Sequence, residues 1–291
     1  MESSTALVLN AIIAGLLLGG FYAALSVGIS ISFGMLDVVN IAHPGFIILG
    51  SYLAYIVNDR TGVDPIAASV ALSPLFFLLG MLLYRVYYVC FEQRGQESLR
   101  GLAFFFGILF ITEVALVLIF GVDYRLVQTA YSETTLRLGA VDFPLRLIVP
   151  FLVSLTMVVG VQLFLTHTFF GRAVLAVAQD QLALRLMGVN PFRVKEFAFG
   201  LSIATAGVAG AFLIVIQPVQ PAIGREYIGL VFAVCVLGGM GSIWGTLLGA
   251  IVLGLAESFT STFFGPSWAP AVSFGLLLAA LAFKPSGLLG R

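Results

Sequence analysis

Three carboxylates fall inside or at the edge of long apolar runs: Asp37, Glu113 and Glu257. Charge at that depth is costly, so such groups face a bundle interior or a water-filled cavity, where they pair with cations or relay protons. Asp37 has company, because Asn40 and His43 follow at steps of three, which places the three side chains on neighbouring faces of one turn. Together with Glu113 they are the candidates for a polar substrate pathway. For Glu113 a cap or a helix contact is the plainer alternative. Glu257, followed by Ser258, Thr260, Ser261 and Thr262, suits a structural or outer-vestibule role. His43 has one distant companion, His167, and Cys90 and Cys235 lie in or beside apolar runs. Neither a metal site, which needs several nitrogen, sulfur or oxygen ligands, nor a disulfide framework is expected.

A second constellation occupies about 171–195. Its first part is rich in Ala and Leu and helical by propensity, and Gly188 with Pro191 shortly after supplies a cap and a stop. Leu175, Leu182 and Met187 form an apolar side, while Gln179, Asp180, Gln181 and Arg185 supply polar groups. A short amphipathic helix between spans either lies on the lipid surface or docks into a partner's groove. Surface helices are usually basic and lysine-bearing; this one has no lysine, which favours docking. The residues expected at such a contact are Arg172, Gln179, Asp180, Arg185, Gly188 and Asn190.

The elements that must position these groups are membrane spans. The chain has 291 residues, of which 60% are hydrophobic and 10% charged, with a mean hydropathy of +1.10, against about 25% charge in soluble domains. That excludes a soluble globular protein. Fourteen basic and fourteen acidic residues cancel, leaving no basic surface for nucleic acid. Apolar runs at about 6–34, 39–57, 66–84, 102–122, 147–166, 197–217, 227–240, 246–264 and 271–283 predict an all-α polytopic membrane protein of about 8–10 helices, with 1–291 as a single transmembrane domain. The first run follows an acidic rather than basic start, so it reads as a retained span and not a cleaved leader. The run at 227–240 is too short to cross about 30 Å of hydrocarbon, and Gly238, Gly239 and Gly241 interrupt it. A second break follows Phe33 and Gly34. Both segments are expected to be broken or re-entrant, and irregular backbone at that depth must line a cavity or be buried in protein. Gly15 and Gly19, and Gly241, Gly245 and Gly249, recur at steps of four and predict close helix packing.

Cations concentrate on the cytoplasmic side of short loops. Arg85, Arg94, Arg100, Arg172, Arg185, Arg193, Lys195, Lys284 and Arg291 are therefore placed inside, and Arg60, Arg125, Arg137, Arg146 and Arg225, mixed with acids, outside. The N-terminus is then outside and the C-terminus inside if both broken segments cross; if one re-enters, the N-terminal side flips. Lys195 follows Val194 and Lys284 follows Phe283, so no Gly-Lys phosphate loop exists. No hydrolytic triad or dinucleotide fingerprint is present either. The chain is expected not to be an enzyme and to bind no cofactor itself. If ATP drives it, another polypeptide holds the ATP.

The stretches 15–28, 38–46 and 50–55 resemble the N-terminal signature of branched-chain amino acid ABC transporter permeases of the LivH type. Three more blocks match in order: 171–190, 238–258 (Gly238-Gly239-Met240-Gly241-Ser242-Ile243-Trp244-Gly245 to Glu257-Ser258) and 284–288 (Lys284-Pro285-Ser286-Gly287-Leu288). The resemblance implies one transmembrane half of an importer in the bacterial inner membrane. Its companions would be a second permease subunit, related or identical, two cytoplasmic ATPase subunits carrying ATP and Mg, and a periplasmic solute-binding protein that delivers the amino acid. The family's coupling segment maps onto about 172–190. Two positions depart from the pattern: Pro44 stands where the family is expected to carry Gly after the histidine, and Ser30 where it is expected to carry Asn. The same family includes urea and short-chain amide permeases, which stand as the alternative substrate class. Physics alone leaves a second alternative, a self-contained secondary transporter with the buried acids as ion sites.

Overall fold

The computed structural model describes residues 2–95, 98–138, 141–284 and 286–290; Pro285 of the closing motif and Arg291 of the inner cation set lie outside them. Helices follow the apolar runs, and side-chain caps set the starts of several of them. Asp64 accepts from the Ile66 amide at 2.8 Å ahead of α3 (Pro65–Cys90), and Asn190 accepts from the Phe192 amide at 3.0 Å ahead of α8 (Pro191–Ile216). Each cap is followed by a proline, which fits the first helical position because it needs no amide partner. The remaining long helices are α1 (Glu2–Ser32), α2 (His43–Thr61), α4 (Ser98–Phe120), α5 (Leu145–His167), α9 (Gly224–Gly238), α10 (Ile243–Phe263) and α11 (Ala269–Phe283). Between α5 and α8 lie two short helices, α6 (Phe169–Gln179) and α7 (Gln181–Leu186). Among the described residues eight helices are long and apolar enough to cross a membrane, so the chain is a multi-pass membrane protein. α2 is not among the eight, because Asn58, Asp59 and Arg60 fill its last turn.

α8 sits at the centre, packed by α1, α2 and α3 and almost wholly enclosed. Small residues allow that enclosure. A Cβ at Gly200 would come within 2.9 Å of the Phe77 carbonyl, and one at Gly80 within 2.8 Å of the Gly200 Cα. Ser51 donates to the Gly210 carbonyl at 2.6 Å, crossing from α2 to α8 where the backbones are closest. Between lipid-soluble helices, such close packing and interhelical hydrogen bonds replace the hydrophobic drive available in water. Gly15 and Gly19 serve α1 in the same way: a Cβ there would meet the Cα of Leu255 at 2.8 Å and of Ile251 at 2.6 Å on α10.

The bundle has two ends. At one, α5 turns into α6 and α7 and the chain climbs back as α8. At the other, a strap runs from α4 to α5. Arg125 and Val219 pair antiparallel, each amide bonding the other's carbonyl at 2.8 Å, and β1 (Thr135–Leu138) pairs with β2 (Val141–Pro144). Tyr131 donates to Asp64 at 2.9 Å; burial and that carboxylate raise its phenol well above the usual value, so it remains a donor throughout the physiological range. This hairpin of two four-residue strands is a small addition to the all-α expectation. Its strands carry Thr, Leu, Val and Phe, which fit a pleated surface.

Candidate functional site

Two helix breaks meet inside the bundle. α1 ends at Ser32, and the chain turns through 33–42 before α2 begins. α9 ends at Gly238, where Gly239 takes a φ of 104° and Gly241 a φ of 80°. Gly34 rests on the Gly241 backbone so closely that any side chain at Gly34 would collide with it. The carbonyls freed at the end of α9 are capped from afar, since the Leu288 amide donates to the Leu237 carbonyl at 2.9 Å and the Leu289 amide to the Gly238 carbonyl at 3.0 Å. Those bonds give the closing motif a local structural purpose.

The four pathway candidates do not assemble as one group. Asp37 is exposed at the end of α1 with a φ of 59°. Asn40 and His43 are fully buried. His43 Nε2 donates to the Leu25 carbonyl at 3.1 Å, while His43 Nδ1 and both polar atoms of Asn40 have no protein partner. The Oγ atoms of Ser26 and Ser30, one turn apart on α1, are likewise buried and unpartnered. Buried polar atoms left so are commonly satisfied by water. Glu113 belongs with the far side of this break. It lies one turn beyond Leu109, which touches Gly45, and it takes two hydrogen bonds from Arg225, Nε to Oε2 at 2.7 Å and Nη2 to Oε1. The Arg225 guanidinium also lies 5.4 Å from the Phe110 ring centre.

Arg225 and Glu226, read in the sequence as outer-loop residues, occupy the first turn of α9. The signal was present in Pro221 and Gly224 just ahead of them. α9 has 15 residues, roughly 22 Å at 1.5 Å per residue, and starts below the strap beside Pro44 and Ile48. With the turn Pro221–Ile223 ahead of it, the segment reaches 18 residues and counts among the eight helices long and apolar enough to cross, so the run expected to be too short extends further toward the N-terminus and the glycine cluster ends it.

A cavity lies at each end of α9. The first, of about 550 Å³, is bounded by α9, α10 and α11. Its floor holds Tyr22, Tyr227, Glu257 and Ser273, all buried, and its mouth holds exposed Arg225, Glu226, Pro266 and Pro270. The Glu257 carboxylate accepts hydrogen bonds from the hydroxyls of Tyr22 and Ser273. Gln217 Nε2 donates to the Tyr227 hydroxyl at 2.5 Å. Tyr22, Gln217, Tyr227 and Ser273 carried no sequence signal, because hydroxyls and amides on membrane helices are ordinary until a carboxylate is found beside them. The second cavity, of about 580 Å³, opens at the α6–α7 end and is lined by Gly34, Gln162, Thr166, Gln179, Met240 and Ser242 among others.

The segment expected as one docking helix is two. Asp180 leaves helical geometry and its carboxylate accepts from the amides of Leu182 and Ala183 at 2.8 and 3.0 Å, starting α7 anew. Gly188, at a φ of 79°, ends α7, and its amide bonds the Arg185 carbonyl at 3.0 Å. Asn190 then caps α8. α6 is held to the bundle through buried Ala173, Val174 and Val177, whereas Leu182, Leu186 and Met187 point outward at 66%, 82% and 80% exposure beside exposed Arg172 and Arg185.

A family model described as "Branched-chain amino acid transport system / permease component" matches residues 11–281. The chain is similar to the high-affinity branched-chain amino acid transport system permease protein BraD of Pseudomonas aeruginosa, at 29% identity over 97% of this chain and 96% of that one. It is similar to the permease protein LivH of Salmonella typhimurium at 29% identity over 95% and 94%. The permease protein LivM of Escherichia coli is 27% identical over 92% of this chain and 67% of its own length. Among solved structures, a chain of PsaBC from Streptococcus pneumoniae in complex with Fab is similar at a TM-score of 0.49 and 12% identity, over 96% of this chain and 92% of that one.

Proposed function

The chain belongs to the permease-component family of branched-chain amino acid transport systems, and from that premise we propose that it is one transmembrane half of an ATP-driven importer for hydrophobic, branched-chain amino acids. The observation that carries the reading is the outward apolar tip of α7, Leu182, Leu186 and Met187, on a chain with no phosphate-binding loop of its own. Apolar side chains grouped at a water-facing end mark a surface for a protein partner. That partner is an ATPase subunit carrying ATP and Mg, one on each of two permeases. The second permease is a related or identical chain; the similarity of this chain to both LivH and LivM supports a pair built from one fold. Arg85, Arg94, Arg100, Arg172, Arg185, Arg193, Lys195 and Lys284 sit in elements at the α7 end, which supports a cytoplasmic position for that end in a bacterial inner membrane. The strap end then faces the periplasmic binding protein.

Coupling runs through packed backbone. Gly171 at the start of α6 lies against the carbonyl of Phe164 on α5 with no room for a side chain, and α7 continues through Gly188 into α8. A push on the hook therefore moves α5 and α8 with it, and α8 is what α1, α2 and α3 pack upon. Alternating access follows if the outer and inner cavities at the two ends of α9 open in turn. An ATPase drives this only if its nucleotide states bind the hook's two positions with different free energy.

The test is purification of the tagged chain in mild detergent with identification of what stays bound, followed by uptake in proteoliposomes. Recovery of an ATPase and a second permease, with ATP-dependent leucine uptake when the binding protein is added, is the expected result. A chain that purifies alone and moves a solute without ATP overturns the reading.

A further inference from the structure

The outer cavity carries more acid than base. Arg225 is paired with Glu113, which leaves Glu257 on the floor and Glu226 at the mouth with no cationic partner among the described residues. Glu257 is 6% exposed, and its carboxylate accepts only from two neutral hydroxyls, those of Tyr22 and Ser273. A carboxylate offers about four acceptor positions, so two remain. To carry charge in so enclosed a place the carboxylate needs a positive partner, and the described residues supply none. A bare metal ion suits the place poorly. Hard cations such as calcium take about six to eight oxygen ligands, and no group of three or more acidic, His or Cys residues able to hold a metal occurs among the described residues.

The rest of the cavity has a different character. Leu230, Phe274 and Pro270 give it an apolar wall, and Arg225 at the mouth leaves Nη1 without a hydrogen bond among the described residues. A volume of about 550 Å³ lies within the range of small-molecule sites, roughly 300–1,000 Å³. Positive charge wanted at the floor, apolar surface along the side and a spare guanidinium donor at the mouth describe one ligand class.

We propose that this cavity is the subsite in which the permease itself holds an α-amino acid, with the ammonium group on Glu257, the branched side chain against Leu230 and Phe274, and the carboxylate toward Arg225 Nη1. The assignment rests on the importer reading and adds to it a second selection after delivery. A solute of similar shape without the ammonium leaves Glu257 unpartnered and is rejected here. Discrimination of this kind is strong because a buried polar group loses its partner when the wrong ligand enters.

The experiment uses the full chain with its co-purifying subunits in lipid nanodiscs and measures equilibrium binding of three probes: L-leucine, 3-methylbutylamine and 2-hydroxy-4-methylpentanoate. The first two bind and the hydroxy acid does not. Glu257→Gln, which keeps shape and hydrogen bonding but removes charge, weakens both by about tenfold or more. Equal binding of the hydroxy acid, unchanged affinity in Glu257→Gln, or competitive displacement of the amine by sodium chloride overturns the proposal. If Glu257→Gln fails to fold, Ala269→Phe decides the matter, since it fills the cavity from the first turn of α11 and must abolish leucine binding; unchanged binding there also overturns it. ATP-driven uptake measured on the same preparation separates the two readings. Glu257-dependent binding without ATP-driven uptake sinks the importer and keeps the subsite, whereas uptake indifferent to Glu257 sinks the subsite alone.

Discussion

Two ion pairs, near the end of α3 and the start of α8, look alike on paper and differ in consequence. Lys195 Nζ lies 2.6 Å from Glu92 Oε1, both side chains nearly enclosed, and Tyr84 donates to the other Glu92 oxygen at 2.7 Å. Arg85 lies 3.0 Å from Glu196 with 63% of its own side chain exposed. Removing one partner of an enclosed pair strands the other charge, at about 3 kcal/mol or more, while an exposed partner contributes at most about 1 kcal/mol. Glu92→Gln is therefore expected to lower the thermal midpoint of the purified protein by several degrees in a detergent unfolding assay, and Arg85→Ala by less, because water reaches Arg85 and screens that pair from one side, although its loss leaves Glu196, 7% exposed, without that cation. Equal shifts would contradict the distinction. The sequence placed Arg85 and Lys195 together in one set of loop cations, but not as paired ones, because Glu92 stands 103 positions from Lys195. Arg225 escaped notice as a site residue for the same reason: only the folded chain brings it to Glu113.

At the scale of elements the glycines divide by what surrounds them. A Cβ at Gly34 has nowhere to go, since the Gly241 backbone occupies the space, whereas one at Gly107 on α4 meets nothing within 4 Å. Gly34→Ala is predicted to abolish the monodisperse folded peak in fluorescence-detected size exclusion. Gly107→Ala is predicted to be neutral or to stabilise by about 0.5–1 kcal/mol through lower backbone entropy in the unfolded chain. Regular spacing made Gly15 and Gly19 on α1 and Gly245 and Gly249 on α10 readable in advance, whereas Gly241, grouped with the latter by spacing, lies in the turn ahead of α10 at a φ of 80° and packs on Gly34. Gly34, Gly50 and Gly207 pack as closely without belonging to a repeat, so periodicity passes over them. The division of 171–190 into α6 and α7 was hidden for a related reason. Ala and Leu dominate the propensity sum there, and the one residue that overrules them, Asp180, acts by capping geometry rather than by composition.

For the whole molecule, the count of helices, the two interrupted segments and the position of the hook were legible because each extends over many residues and follows from hydropathy and glycine content. The outward exposure of Leu182, Leu186 and Met187 was not, because it is set only in the folded chain. Three substitutions test the hook by coupling rather than by folding. Asp180→Arg removes the α7 cap, Gly188→Pro forbids the φ of 79° that ends α7, and Leu186→Asp places charge in the exposed apolar tip. All three are expected to leave the chain in the membrane while stimulated ATP hydrolysis persists without leucine uptake, or, for Leu186→Asp, while the ATPase no longer co-purifies. Wild-type uptake in all three would count against the hook as the site of coupling.

The extensive contact between α1 and α10 also fixes an order of events during synthesis. α1 rests Gly15 and Gly19 against Leu255 and Ile251, residues that leave the ribosome more than two hundred positions later. At roughly 5–20 residues per second, α1 waits on the order of 10–50 seconds with its glycine face turned to lipid and open to any other helix that passes. The membrane assembly of this chain is thus a closure of its two ends upon each other, and the interval before closure is when a mispaired or truncated copy is most exposed to quality control.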